Sequence, residues 1–136
     1  MAVAQVAEYI RPWLDGLNRG DVSGAEETFA PDCVVHITGS PEPLRGPAAF
    51  GQFIAGFIAA FPDVHFTVED QVESEDKVVI RWSAEGTHTR PLGGVPPTGK
   101  RAHVDGIVFD RLVGGKVAER WEQWDQTAML RQLGLM

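Results

Sequence analysis

Cysteine is almost missing from this chain of 136 residues, where Cys33 stands alone. A single thiol excludes an internal disulfide framework and a multi-cysteine zinc site. Set in an apolar stretch, it reads as a small core residue rather than a nucleophile. Long hydrophobic runs are missing as well. The longest, around Phe50–Phe61, is broken by Gly and Gln and is too short to span a bilayer. Basic clusters are also missing. Lys and Arg number 12 against 19 Asp and Glu, a net charge of −7. Residues 1–76 carry 3 basic and 13 acidic side chains, and residues 77–136 carry 9 and 6. That balance disfavours a nucleic-acid partner, and the acidic half reads as a solubilising surface. The opening MAVAQVAEY has no basic segment of the kind that starts a signal peptide, so the expected location is cytoplasmic, with no membrane partner. There is no G-x-S-x-G, G-x-G-x-x-G or P-loop, and no repeat or linker. One domain over 1–136 is expected.

Periodicity supplies the elements. Val3, Val6, Ile10, Trp13 and Leu17 fall on one face of a helix ending near Gly20, with a kink or restart at Pro12. Asp21 is a suitable N-cap for a short second helix to about Phe29. Cys33–Ile37 reads as a strand, and 39–46 as a loop. Pro47 opens a third helix whose apolar face carries Phe50, Phe53, Ile54, Phe57, Ile58 and Phe61. The period then changes to two. Strands are expected at Val64–Glu73, Lys77–His88, Arg101–Val113 and Lys116–Trp124, with a Gly/Pro-rich loop before Arg101 and a tight turn at Gly114-Gly115. Gln126–Leu133 is a final amphipathic helix. The expected fold class is α+β, a curved and mostly antiparallel sheet wrapped around a long helix. Such a sheet leaves a conical pocket, the kind of mouth that ligands favour.

Polar residues inside apolar strands are the candidates for chemistry. Glu122 lies between Trp121 and Trp124 near the end of the last strand. A carboxylate among indoles loses solvation, and its pKa rises toward a value useful for an acid or base. The alternative is a solvent-facing Glu paired with Arg120 or Arg81. Asp125 is either a second carboxylate or the N-cap of the last helix, and its position directly before Gln126 favours the cap. His36, His88 and His103 lie on strands or their ends and could line the pocket together with Trp124. His65 falls on a wet face. His36, His88, His103 and Asp105 match no compact ligand spacing, so no metal is expected. The stripe containing Phe53 and Phe57 is first of all core, and it would also supply an apolar pocket wall.

Several segments carry a resemblance. They are Gly46-Pro47-Ala48-Ala49-Phe50, Gly86-Thr87-His88, Gly94-Val95-Pro96-Pro97-Thr98-Gly99, Arg111–Val117 and Met129–Gly134. With the order of the elements, they resemble the SnoaL-like polyketide cyclases of the nuclear transport factor two-like superfamily. The resemblance implies a cofactor-free aldol ring closure of a polyketide ester, with a carboxylate near the end of the last strand as acid and base. Counted back from Leu130-Arg131-Gln132-Leu133-Gly134, Glu122 falls on that carboxylate and Asp125 on a second family acid. Where the family cyclases carry a Gln and a His on the neighbouring strand, this chain has Gly106 and Val108. His103 and Asp105 would take over that polar role if a bulge turned them inward, which makes Asp105 a third candidate catalytic carboxylate.

Three readings follow. In the first, the chain is a lyase or isomerase acting on a small hydrophobic carbonyl compound, with Glu122 as base and a histidine or an indole N–H as donor to the enolate oxygen. In the second, it binds a hydrophobic ligand without converting it. In the third, it is a dimerisation module. Water activated by the same carboxylates would instead hydrolyse an epoxide or ester. The superfamily's epoxide hydrolases would require an Arg two residues before Asp105, where His103 stands. A homodimer fits all three readings, because one sheet face needs a cover.

Overall fold

The computed structural model describes residues 6–136. The elements run α1 (Arg11–Leu17), α2 (Ala25–Thr28), β1 (Phe29–Ile37), β2 (Leu44–Arg45), α3 (Pro47–Ala60), β3 (His65–Ser74), β4 (Lys77–Thr87), β5 (Arg101–Val113), β6 (Lys116–Trp124) and α4 (Gln126–Gln132). The strands form one sheet in the order β2-β1-β6-β5-β4-β3. β3 to β6 are antiparallel neighbours, as the alternating pattern predicts, whereas β1 lies parallel to β6. The fold is therefore α+β, with an open, curved, mixed sheet and α3 against its inner face.

Local chemistry explains the long elements. Gly46 takes a positive φ of 86°, which glycine adopts at little cost, and Pro47 follows at the first helical turn. α3 packs on α2 at Gly51, which lies against Val22 and Ala25. Gly114 and Gly115 have φ of 59° and 80°, the left-handed pair that a two-residue hairpin between β5 and β6 requires. The Asn18 amide bonds both backbone groups of Phe66 and so ties the end of α1 to the edge strand β3. The core holds Trp13, Phe29 and Phe50, with ring centroids 5.0–5.6 Å apart. A second cluster of Ala60, Phe61, Ala102, Met129 and Leu133 seats α4 at one end of the sheet.

The N-terminal third departs from expectation. The expected helix start at Val3 lies outside the described residues. Residues 6–10 are not helical, and α1 begins at Arg11 with Pro12 in its first turn, so the proline starts a helix instead of kinking one. Asp21 accepts from the Ser23 backbone N–H and closes a local turn, while the second helix shrinks to Ala25–Thr28. β1 starts at Phe29, not Cys33, because its pairing with β6 continues across an irregularity between Phe29 and Val34. Cys33 is fully buried.

Candidate active site

The inner face of the sheet can be read row by row. Ile37, Glu122, Val108 and Ile80 lie side by side on β1, β6, β5 and β4. The next row is Val35, Arg120, Asp110 and Val78. On the other side of Glu122, Trp124, Gly106 and Trp82 form a third row. Arg120 and Asp110 therefore face each other directly across an antiparallel pair, where side chains meet.

Between α3, α4 and this face lies a cavity of about 650 Å³, counting its open mouth. Its walls are apolar: Phe53, Phe57 and Phe61 from α3 and its end, Trp82, Val104 and Trp124 from the sheet. Glu85 and Glu122 are the ionisable residues that line it. Glu85 is exposed, whereas Glu122 is buried. Phe57 meets Trp124 edge to face at 5.5 Å, and the Trp124 indole N–H donates to the Thr38 carbonyl. The Trp82 indole nitrogen is buried with no protein partner. Gly106 permits this arrangement. A Cβ there would lie 2.4 Å from the Trp82 ring, so the missing side chain is the space the indole fills.

A charged chain runs away from Glu122. Arg120 donates through Nη1 to Glu122 Oε1 at 3.4 Å, and through Nε and Nη2 to the two Asp110 oxygens at 2.7 and 2.8 Å. The Tyr9 hydroxyl donates to Asp110 at 2.7 Å. The guanidinium also lies over the rings of Phe29 and Phe50, 4.9 and 5.6 Å from their centroids. Burial pushes the Glu122 carboxyl up to about 7; Arg120 opposes the shift and Asp110 adds to it. Burial works against the charge on Arg120, but Asp110 outweighs it and holds the guanidinium above its usual range. Burial, then Asp110, raises the Tyr9 phenol well beyond its ordinary value.

The other expected residues are elsewhere. Asp105 and His103 lie on the outer face, because β4 and β5 keep an unbroken register from Lys77–Arg111 to Thr87–Arg101 and no bulge turns them inward. His103 sits between Glu85 and Asp105, 3.7 and 3.5 Å away. Asp125 does not line the cavity; its carboxylate accepts from the Ala128 backbone N–H and caps α4. His36 is also outward, stacked on Trp121 and bonded to Glu119 at 2.7 Å. His88 is wholly buried against Phe61 and holds Thr98 of the Gly/Pro loop, with Nε2 unpartnered, but it does not line the cavity. Trp124 and, from the aromatic stripe, Phe53, Phe57 and Phe61 are on the cavity wall, joined by Trp82 and Glu85, which sequence reasoning did not assign to it. Tyr9 and Asp110 were also missed. No counting rule gave Asp110: from the Gly114-Gly115 turn regular pairing sets it opposite Glu119, and only the extra residue Ala118 brings it opposite Arg120. Among the described residues, no group of three or more His, Cys, Asp or Glu is placed to hold a metal ion, and no helix is long and apolar enough to cross a membrane.

Comparison with known proteins adds a second line. The family model of SnoaL-like polyketide cyclases matches residues 7–133. The chain is 28% identical over 122 residues to nogalonic acid methyl ester cyclase of Streptomyces nogalater, covering 89% of this chain and 91% of that protein. It is 32% identical over 96 residues to an aklanonic acid methyl ester cyclase of Streptomyces peucetius, covering 70% and 66%. Among solved structures, IdmH of Streptomyces antibioticus superposes with a TM-score of 0.79 at 33% identity, covering 93% of this chain and 96% of that one. TsrD of Streptomyces laurentii reaches 0.84 at 24% identity, covering 97% and 100%, a likeness of fold.

Proposed function

The chain belongs to the SnoaL-like polyketide cyclase family, and from that premise we propose that it is a cofactor-free acid–base enzyme closing a ring in a polyketide-type carbonyl compound. The observation that carries this reading is a buried carboxylate, Glu122, in a cavity whose walls are otherwise almost entirely apolar. An apolar wall selects a hydrophobic substrate and excludes water, and the raised carboxyl sits near neutral pH, where proton exchange in both directions is efficient. Glu122 takes a proton from the carbon alpha to a carbonyl. The C–H electron pair becomes the enolate, which attacks a second carbonyl carbon of the same molecule. The alkoxide so formed takes the proton back from Glu122. Atoms and charge balance without a co-reactant. The Trp82 indole N–H, buried and unpartnered, is the donor assigned to the enolate oxygen.

Glu122→Gln tests the reading. It keeps the shape and removes the base, so turnover of aklanonic or nogalonic acid methyl ester, the compounds named for the relatives, is expected to fall at least about 100-fold. The fold should stay intact by circular dichroism. Undiminished turnover in the variant would remove Glu122 as the base. Ligand-dependent melting shifts without conversion, insensitive to Glu122→Gln, would favour the ligand-binding reading.

The proposed partner of the outer sheet face is a second copy of the chain. Ile107, Phe109 and Trp121 are exposed there, with Phe109 and Trp121 in edge-to-face contact at 5.7 Å. Sedimentation velocity checks it, and a stable monomer at micromolar concentration would discard it.

A further inference from the structure

Arg120 would ordinarily be expected to neutralise Glu122. The two are neighbours on one strand face, both are buried, and a free guanidinium beside a carboxylate forms a two-pronged pair. Such a pair would hold the carboxylate ionised, strongly bonded and a poor base. The geometry shows something different. Arg120 gives both Nε and Nη2 to Asp110 at 2.7 and 2.8 Å, the parallel two-bond arrangement, and leaves Glu122 a single contact at 3.4 Å. Four features fix that choice. Asp110 is directly across the ladder from Arg120, whereas Glu122 is displaced along the same strand. Asp110 is fully buried and cannot exchange its partners for water. The Tyr9 hydroxyl bonds Asp110 Oδ2, the oxygen that also takes Arg120 Nη2. The rings of Phe29 and Phe50 lie beneath the guanidinium.

We infer that Asp110 is a positioning residue for Glu122: it occupies two donors of Arg120 and keeps the guanidinium from closing onto the carboxylate that faces the cavity. Tyr9 supports it from the other side. The inference rests on the reading of Glu122 as the base. The groups packed around that carboxylate are consistent with it. β6 presents Arg120, β5 presents Asp110 and the segment before α1 presents Tyr9, whereas Glu85 of β4, although it lines the cavity, turns its carboxylate to Arg101 and His103. The facing residues of α3 and β1, Phe53, Ile54, Phe57 and Ile37, carry no charge.

The test is an NMR titration of the full chain from about pH 5 to about pH 9, following the Glu122 side-chain carboxyl and the Arg120 Nε–H. In the unmodified protein the Glu122 midpoint is expected at about 7. The Arg120 Nε–H, held on Asp110, should stay slow to exchange on both sides of that midpoint. Asp110→Asn frees the guanidinium, and the Glu122 midpoint should fall by about 1–2 units. Asp110→Glu, which keeps the charge, should restore it. An unmoved midpoint in folded Asp110→Asn overturns the inference while leaving Glu122 available as the base. Should Asp110→Asn not fold, the unmodified protein decides: loss of Arg120 Nε–H protection as Glu122 ionises means the guanidinium does swing across, and the inference fails. An ordinary carboxylate midpoint in the unmodified protein overturns both the inference and the base reading.

Discussion

Glu122 keeps a proton in the folded protein that the unfolded chain releases, and that has a consequence for stability. Its carboxyl is raised from 4.5 to about 7. Between those values the native state binds more protons than the unfolded state, so stability falls as pH rises. The contribution is complete below the unfolded value and is lost as pH passes the folded one. Glu122→Gln has no such proton to lose. In urea melts at about pH 5 and about pH 8, the variant should therefore gain on the wild type at the higher pH. A constant difference at both values would mean that Glu122 is not raised. The residue was legible in sequence because two indoles flank it, although only half of that signal was sound. Trp124 shares its face and its cavity, while Trp121 points outward and stacks on His36, since neighbouring strand residues face opposite sides. Asp110 was hidden because its importance depends on which β6 residue it meets.

The β5–β6 hairpin shows how an element can obscure a site. Arg111 pairs with Glu119, but Leu112 pairs with Val117, so Ala118 is an extra residue and Val117 turns into the core beside Arg120. Simple alternation places Val117 on the other face. One bulge thus explains why the two faces of β6 could not be read cleanly along its whole length. The long strands and α3 were legible because their periodic patterns persist for many residues. The short second helix was not, since its few positions carry no period and strand pairing claimed Phe29. Gly106 offers a test at this scale. Gly106→Ala would put a methyl group 2.4–2.8 Å from Trp82 ring atoms, inside contact distance. The indole must move, and a loss of roughly 1–3 kcal/mol is expected in denaturant melts. A variant as stable as the wild type would show that Trp82 has room to yield.

At the scale of the molecule, the sheet presents one face to the cavity and the other to its surroundings. The outer face carries Ile107 at 52% exposure and Trp121 at 39%, too much apolar surface at mid-sheet to be left uncovered on the reading proposed above. Trp121→Lys should push the sedimentation profile toward monomer, and an unchanged dimer would place the contact elsewhere. The parallel pairing of β1 with β6 has a different kind of consequence. These strands come from opposite ends of the sequence yet sit side by side within the sheet. During synthesis β1 emerges early and its inner residues, Cys33 and Val35 among them, wait for a neighbour made nearly last. No early fragment can assemble the row that holds Glu122. Contacts so distant along the chain make for slow folding, and they make the chemistry an all-or-nothing property of the finished polypeptide.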